Sequence, residues 1–219
     1  MVKIQKFIFN PFQENSYVLF DETGQCIFVD MGSYTVEEKK AVLYFIENNG
    51  LSPVMLVNTH CHVDHILGNS FFKNKLRIKT AAHQGDDFIL EDAVEHGKMF
   101  GLEVESPPPI DIYLEEGQRI SFGNSRLEVL HVPGHSPGSI ALYCQDDNFV
   151  ISGDVLFNGS IGRTDLPGGD YTTLINSIGK KLLNLPGETI IYCGHGPETT
   201  IGEERENNPF LSSSGIYDQ

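Results

Sequence analysis

Thr59-His60-Cys61-His62-Val63-Asp64-His65 sets four metal-competent side chains within six residues, directly after the apolar run Val54-Met55-Leu56-Val57. An extended backbone throws His60 and His62 to one side, because side chains two apart in a strand-like segment share a face. Asp64 and His65 then face elsewhere, and that division points to two neighbouring metal positions. The plain alternative is a polar turn that happens to be rich in histidine; the density and spacing of donors argue against it. Cys61 is weighed as a ligand and set aside, since nitrogen and oxygen donors already fill the plausible positions.

Downstream, Ile66-Leu67-Gly68-Asn69 reads as the first turn of a helix, with Asp64 and His65 near its N-terminus. Upstream, Phe7-Ile8-Phe9, Tyr17-Val18-Leu19-Phe20 and Cys26-Ile27-Phe28-Val29 are short strands joined by tight turns, an antiparallel start. Asp30 closes the third strand, either as a partner for a metal-bound histidine or as a carboxylate that ties down a turn. Thr35-Val36-Glu37-Glu38 has capping-box spacing, and Val36, Val42, Leu43, Phe45 and Ile46 give the helix after it one apolar face. The stretch from Ala81 to Gly101 is hard to read, and its His83 and His96 stand without companions.

After Pro107-Pro108-Pro109 a second β-rich half begins with Ile110-Asp111-Ile112-Tyr113-Leu114. In this half a pattern repeats. Leu127-Glu128-Val129-Leu130 runs into Gly134-His135, Phe149-Val150-Ile151 into Gly153-Asp154, and Thr189-Ile190-Ile191-Tyr192 into Gly194-His195. Together with the run before His60, four apolar strands each stop at a metal-competent residue. A glycine before the last three lets backbone turn close beside a site. One cluster at a shared sheet rim accounts for all four. His131, four residues before His135, reads as a strand-end residue.

The order His60-x-His62-x-Asp64-His65, then His135, Asp154 and His195, resembles the metallo-β-lactamase superfamily over essentially the whole chain, and the motif is very specific. The resemblance implies an α+β fold, a four-layer αββα sandwich with two mixed β-sheets face to face, as one domain over residues 1–219. It implies that His60, His62 and His135 hold one metal ion, that Asp64, His65 and His195 hold a second, and that Asp154 bridges them. Two divalent ions are therefore expected, zinc first, with iron or manganese also suited to this donor set.

Departures within the superfamily narrow the choice. Secreted β-lactamases of the best-known subclass carry Cys where Asp154 stands, and Met1 to Gln5 shows no export signal. Flavo-diiron proteins have Glu in place of His62. Gly153 to Gly169 and the tail from Thr200 to Leu211 look like the compact bacterial glyoxalase II-type hydrolases. The 24 residues after His195 are too few for the helical C-terminal domain that supplies much of the glutathione site in longer enzymes. Arg163 lies where those enzymes place a cationic glutathione contact; it is a candidate for a substrate carboxylate, or a structural partner of Asp165 or Asp170.

The expected activity is thioester hydrolysis, with S-D-lactoylglutathione cleaved to D-lactate and glutathione. The ions share a water whose pKa falls from 15.7 toward about 7, and the bridging hydroxide attacks the carbonyl. Asp64 and Asp154 are the expected catalytic carboxylates, Asp64 also orienting the nucleophile. Two other readings stand beside it. A mononuclear iron persulfide dioxygenase would use His60, His62, His135 and Asp154 and leave Asp64, His65 and His195 uncoordinated; a non-catalytic metal-binding protein would have no open position.

Composition sets the limits. A chain of 219 residues with 40% hydrophobic content can bury a real core, and no apolar run reaches the ~18 residues of a membrane span. A formal charge of -15 repels phosphate backbones and anionic lipid, which disfavours nucleic-acid and membrane partners and also the nuclease branches of the superfamily. Cys26, Cys61, Cys144 and Cys193 are scattered, with no CxxC pair, as expected of thiols in a reducing cytoplasm. The expected partner is a small-molecule thioester, and the expected state is a monomer or small homo-oligomer.

Overall fold

Period-two alternation in the central strands buries both of their faces, so each strand reads as a nearly unbroken apolar run. In a computed structural model that describes residues 1–212, β1 (Lys3–Phe9), β2 (Glu14–Phe20), β3 (Gln25–Val29), β4 (Ser52–Val57), β5 (Lys79–Ala82) and β6 (Ile112–Tyr113) form one sheet in that order. The first three strands are antiparallel; β3 through β6 are parallel. β7 (Arg119–Phe122), β8 (Ser125–His131), β9 (Ile140–Cys144) and β10 (Phe149–Gly153) enter the second sheet. After the small hairpin of β11 (Leu156–Phe157) and β12 (Ser160–Ile161), β13 (Ile190–Cys193) and β14 (Thr199–Thr200) complete it in the order β14-β13-β10-β9-β8-β7. Only β10 and β13 pair in parallel there.

Both sheets are mixed, and their inner faces meet. Tyr17, Leu19, Ile27, Val29 and Val57 of the first sheet pack on Leu127, Val129, Ile140, Leu142, Phe149 and Ile151 of the second. The intervening residues point outward into helices. Val18, Cys26, Phe28 and Leu56 meet Val42 and Ile46 of α1 (Val36–Asn48); Phe72, from the later helix Asn69–Leu76, joins the same cluster. On the far side, Leu130, Ala141, Val150 and Ile191 pack on Leu174, Ile178, Leu182 and Ile201. This is the αββα sandwich implied by the motif.

Local signals explain the helices. Thr35 caps α1 with a complete capping box: its Oγ1 accepts the Glu38 N–H at 3.2 Å, while Glu38 Oε2 accepts the Thr35 N–H at 2.8 Å. Val36, expected on the apolar face, is exposed because it is the first helical residue and precedes the turn that meets the sheet. The expected helix start at Ile66 is corrected. Asp64 and His65 lie inside a single turn, α2 (Val63–Ile66), and the chain breaks before α3 (Asn69–Leu76). Gly68 makes the break by donating its N–H to the Met31 carbonyl at 2.7 Å, so close that a Cβ would lie 2.8 Å from that oxygen.

The segment from Ala81 to Gly101 holds the end of β5, a 3-10 turn at Gln84–Asp86, and α4 (Asp87–Met99). Ile89, Leu90 and Ala93 of α4 pack over Cys61 and Ile66, so this helix lids the histidine run from outside. The second half also begins later than the sequence implied. Ile112–Tyr113 pairs in parallel with β5 because the α4 crossover returns the chain to the first sheet. Beyond α4 lie α5 (Tyr171–Ser177), which widens into a π-helical turn at Ile178–Leu182, then α6 (Ile201–Asn207) and α7 (Pro209–Ser212).

Leu142, fully buried between the sheets, leaves a cavity when truncated, so Leu142→Ala is expected to lose ~2–5 kcal/mol in urea unfolding of the metal-free protein. Val36→Ala is expected to stay within about 0.5 kcal/mol in the same measurement.

Candidate metal centre

Four strands end on one rim. β4 leads into an extended segment, with His62 at φ -62° and ψ 151°, and then into α2. β8, β10 and β13 end at His131, Gly153 and Cys193, just before His135, Asp154 and His195. The seven residues expected from the sequence come together there. His60, His62 and His135 form one group, and Asp64, His65 and His195 another, each with its donor atoms within 4.8 Å of one another. Each group draws two residues from the first sheet's half of the chain and one from the second.

The spans suit metal ions. A tetrahedral ion with Zn–N bonds of this class separates its ligand nitrogens by about 3.3 Å. His62 Nδ1 lies 2.8 Å from His135 Nε2, which lies 3.3 Å from His60 Nε2. In the second group His195 Nε2 lies 3.2 Å, and His65 Nε2 3.7 Å, from Asp64 Oδ2. Asp154 stands between the groups: its Oδ1 is 3.4 Å from His65 Nε2, and its Oδ2 is 3.7 Å from His135 Nε2 and 3.5 Å from His195 Nε2. His65 Nε2 and Asp154 Oδ1 are buried without hydrogen-bond partners, a costly arrangement that a cation between them would relieve.

Hydrogen bonds to the other ring nitrogens set the tautomers of three histidines. His195 Nδ1–H donates to the Phe12 carbonyl at 3.1 Å, and His135 Nδ1–H donates to the Arg163 carbonyl at 2.8 Å. His60 Nδ1 lies 3.2 Å from Thr59 Oγ1, whose own proton goes to Asp30 Oδ2 at 2.6 Å. His65 Nδ1 faces Asp30 Oδ2 at 3.2 Å and Glu14 Oε1 at 3.8 Å. These four rings are thus left with Nε2 free for a metal, and His62 is the exception that offers Nδ1. Asp30 is therefore a partner for a histidine of the site as well as a turn anchor.

Several participants escaped the sequence reading. The Phe12 and Arg163 carbonyls are backbone, and no residue type announces them. Glu14 left a signal: Glu14-Asn15-Ser16 is a polar triplet at the start of an apolar strand, and all three are buried.

The electrostatics divide the histidines. Burial, reinforced by repulsion from His65 and His135, holds His60 well below the ordinary imidazole value, and burial with His135 takes His62 to about 3. His65 goes the other way: burial opposes its charge, but the carboxylates of Asp154 and Asp64 outweigh that and raise it well above 6.5. His195 is also raised, its burial overcome by Asp64 and Asp154. Asp64 and Asp154 fall below the usual carboxylate range despite burial, because His65 sits beside both.

Glycine is required where backbone meets the cluster. Gly153 has φ +52°, and a Cβ there would strike the Thr59 side chain; a Cβ on Gly194 would strike Asp154 Oδ1 and lie 2.9 Å from the His65 ring.

A cleft of about 400 Å³ opens over both groups. Phe12, Val63, Phe100, Phe157, Ile161 and Leu166 make its apolar walls, with Phe12 edge-on to Phe100 at 5.4 Å. Arg163 reaches its rim, but Nε and one Nη each meet an Asp165 oxygen at 2.7 Å; of the two roles considered for it, the pairing is the one seen. His83 and His131 stack on each other at 4.0 Å, away from the seven. His96 lines the cleft without joining either group. All four cysteines are free and buried.

This fold and site define a metallo-hydrolase, and residues 9–195 match the metallo-β-lactamase superfamily, to which the chain belongs. The probable metallo-hydrolase YqgX of Bacillus subtilis (strain 168) is 40% identical over 217 residues, covering 98% of this chain and all of that one. The hydroxyacylglutathione hydrolase GloC of Haemophilus influenzae is 37% identical, covering 92% and 94%. The human mitochondrial persulfide dioxygenase ETHE1 is 30% identical, covering 91% and 72%. Among solved structures, the BLEG-1 B3 metallo-β-lactamase superposes with a TM-score of 0.89 at 36% identity, covering 96% of this chain and all of that one. TTHA1623 in a di-iron-bound form gives 0.86 at 39%, covering 94% and 100%. The superfamily and the His/Asp cluster imply divalent metal; they leave its identity open.

Acid should empty the two groups in order. As pH falls through the raised values of His65 and His195, protons displace metal there first, while His60 and His62, held below 6.5, still bind. Dialysis of metal-loaded protein from about pH 7.5 to about pH 5.5 is expected to release one equivalent before the other, read by elemental analysis. Gly194→Ala, which displaces Asp154, is expected to lower bound metal by at least about tenfold in affinity, read by chelator competition.

Proposed function

We propose that the protein is a dinuclear metal-dependent thioester hydrolase of the glyoxalase II type, with S-D-lactoylglutathione as substrate and D-lactate and glutathione as products. The observation that carries this reading is the second group. A mononuclear dioxygenase leaves Asp64, His65 and His195 without a metal, yet here the three converge, with buried, unpartnered atoms on His65 and Asp154. The name of the 37% identical relative supports the same choice. In this reading His60, His62 and His135 would hold one ion and Asp64, His65 and His195 the other, with Asp154 available to both.

Bound divalent ions would make water nucleophilic at neutral pH and polarise the scissile carbonyl. The chain supplies the rest. Thr59 and the Phe12 and Arg163 carbonyls fix three imidazole tautomers, and Asp30 faces the Nδ1 edge of His65, so no ring has to turn over before binding. Asp64, held ionised and facing the cleft, can accept a hydrogen bond from attacking water and orient it. The apolar walls keep bulk water from the reacting carbonyl, which strengthens every charge interaction inside. A thiolate leaves without a strong general acid. The free, buried cysteines and the absence of a helix long and apolar enough to cross a membrane among the described residues support a cytoplasmic location. The acidic surface supports a small-molecule substrate over nucleic acid or lipid.

The test is release of free thiol from S-D-lactoylglutathione by zinc- and iron-loaded protein, run beside oxygen uptake with glutathione persulfide and cleavage of a chromogenic β-lactam. The expected result is thioester turnover that Asp154→Ala lowers by at least about a hundredfold. Oxygen uptake in its place would establish the dioxygenase, and β-lactam cleavage alone would align the protein with its B3 neighbour.

A further inference from the structure

We infer that Asp86, which lies outside both ligand groups, is the positioning residue that holds the first metal site together. His60 and His62 arrive on one loop and His135 on another, and the loops belong to different sheets. Asp86 sits between them on the 3-10 turn Gln84–Asp86, completely buried. Its Oδ2 accepts the backbone N–H of Cys61 at 2.9 Å, the residue between the two histidines. The same oxygen accepts the Ser136 hydroxyl at 2.8 Å, next to His135, and Oδ1 accepts the Gly138 N–H at 2.6 Å. One carboxylate thus ties the loop carrying two donors to the loop carrying the third.

The surroundings give Asp86 no freedom to move. Ser136 and Ser139 bond to each other at 2.8 Å, and the Ser136 N–H reaches Ser139 Oγ at 3.1 Å. A Cβ on Gly138 would lie 2.6 Å from the Asp86 carboxylate, and one on Gly85 2.9 Å from Pro137 backbone, so two glycines admit the close approach. Hydrogen bonds from backbone and hydroxyl donors to a buried carboxylate are among the stronger ones, and they act directionally on the ligand loops. The second group is tied by other residues: Asn10 Nδ2 donates to the Asp64 carbonyl at 2.9 Å, Asp30 and Glu14 face His65, and Asn15 and the Phe12 carbonyl hold the loop of His195. Asp86 therefore governs one site and leaves the other alone. The inference rests on the two-site reading, and its measurement is metal affinity, independent of which substrate is turned over.

The test uses Asp86→Asn, which keeps shape and one acceptor oxygen, and Ser136→Ala, which removes a single bond. Each is placed in the intact chain, in a His195→Ala background that retains the first site, and in a His135→Ala background that retains the second. Zinc affinity is read by chelator competition and metal-free stability by thermal melting. Asp86→Asn is expected to weaken zinc about 10- to 100-fold in the His195→Ala background and less than about threefold in the His135→Ala background, with Ser136→Ala between these limits. Equal weakening in both backgrounds, or a lower melting temperature with zinc affinity unchanged, overturns the inference by making Asp86 a general fold residue. Binding of only one zinc by the unmodified chain would overturn the two-site reading itself.

Discussion

The carboxylate of Asp30, at the end of β3, is where the sheet becomes a site. Its backbone N–H stays in the sheet, bonded to the Val57 carbonyl at 3.0 Å, while its two oxygens take the Thr59 N–H at 2.7 Å and the Thr59 hydroxyl at 2.6 Å. The adjoining residue of the ligand run is thereby pinned to the strand that precedes it. The residue adopts φ +53°, a left-handed conformation that costs an ordinary side chain ~1–3 kcal/mol. The charge-assisted bonds offset that cost, and the same turn brings the carboxylate 3.2 Å from His65. Asp30 thus fixes the first residue of the histidine run, as Asp86 fixes Cys61 within it.

The legible and illegible parts of this protein differ for a physical reason. Ligands must be of a few residue types and must sit where a strand ends, so His60, His62, Asp64 and His65, and the later His135, Asp154 and His195, stand out against apolar neighbours. The strands are legible as apolar runs, and the sandwich they build is implied by the resemblance that the ligand order carries. What stays hidden is support made by backbone or by single carboxylates far away in sequence. The Phe12 carbonyl has no residue type, and Asp86 is one acid among 30 acidic residues until its three donors are seen. β6 reads with the second half because two residues carry no period, and the crossover through α4 decides which sheet they join.

The cleft qualifies the part played by charge. The chain is strongly acidic, and the one arginine at the cleft rim is neutralised by Asp165. Recognition of a substrate would then fall mainly to the aromatic wall of Phe12, Phe100 and Phe157, with the metal charges as the principal attraction for an anionic group. Two of these three aromatics come from the β1–β2 hairpin tip and the end of α4, elements that also support the ligand residues.

The division of ligands between the two halves of the chain has a mechanical consequence. Strands β1 to β6 form ladders among themselves, as do the strands of the second sheet; the halves are bonded across the rim by single backbone contacts, Asn15 N–H to the Gly194 carbonyl at 2.7 Å and Ile140 N–H to the Thr59 carbonyl at 2.8 Å. They meet across side chains such as Leu19, Ile27, Leu127 and Leu142, and each donor group straddles the seam. A slide of one sheet over the other would change the bite of both groups at once and in the same direction. The spacing at which the site would grip its ions is thus set jointly by the rim bonds of Asp86 and by the fit of the apolar surfaces behind them, and the sandwich core acts as the jaw whose closure the rim reports.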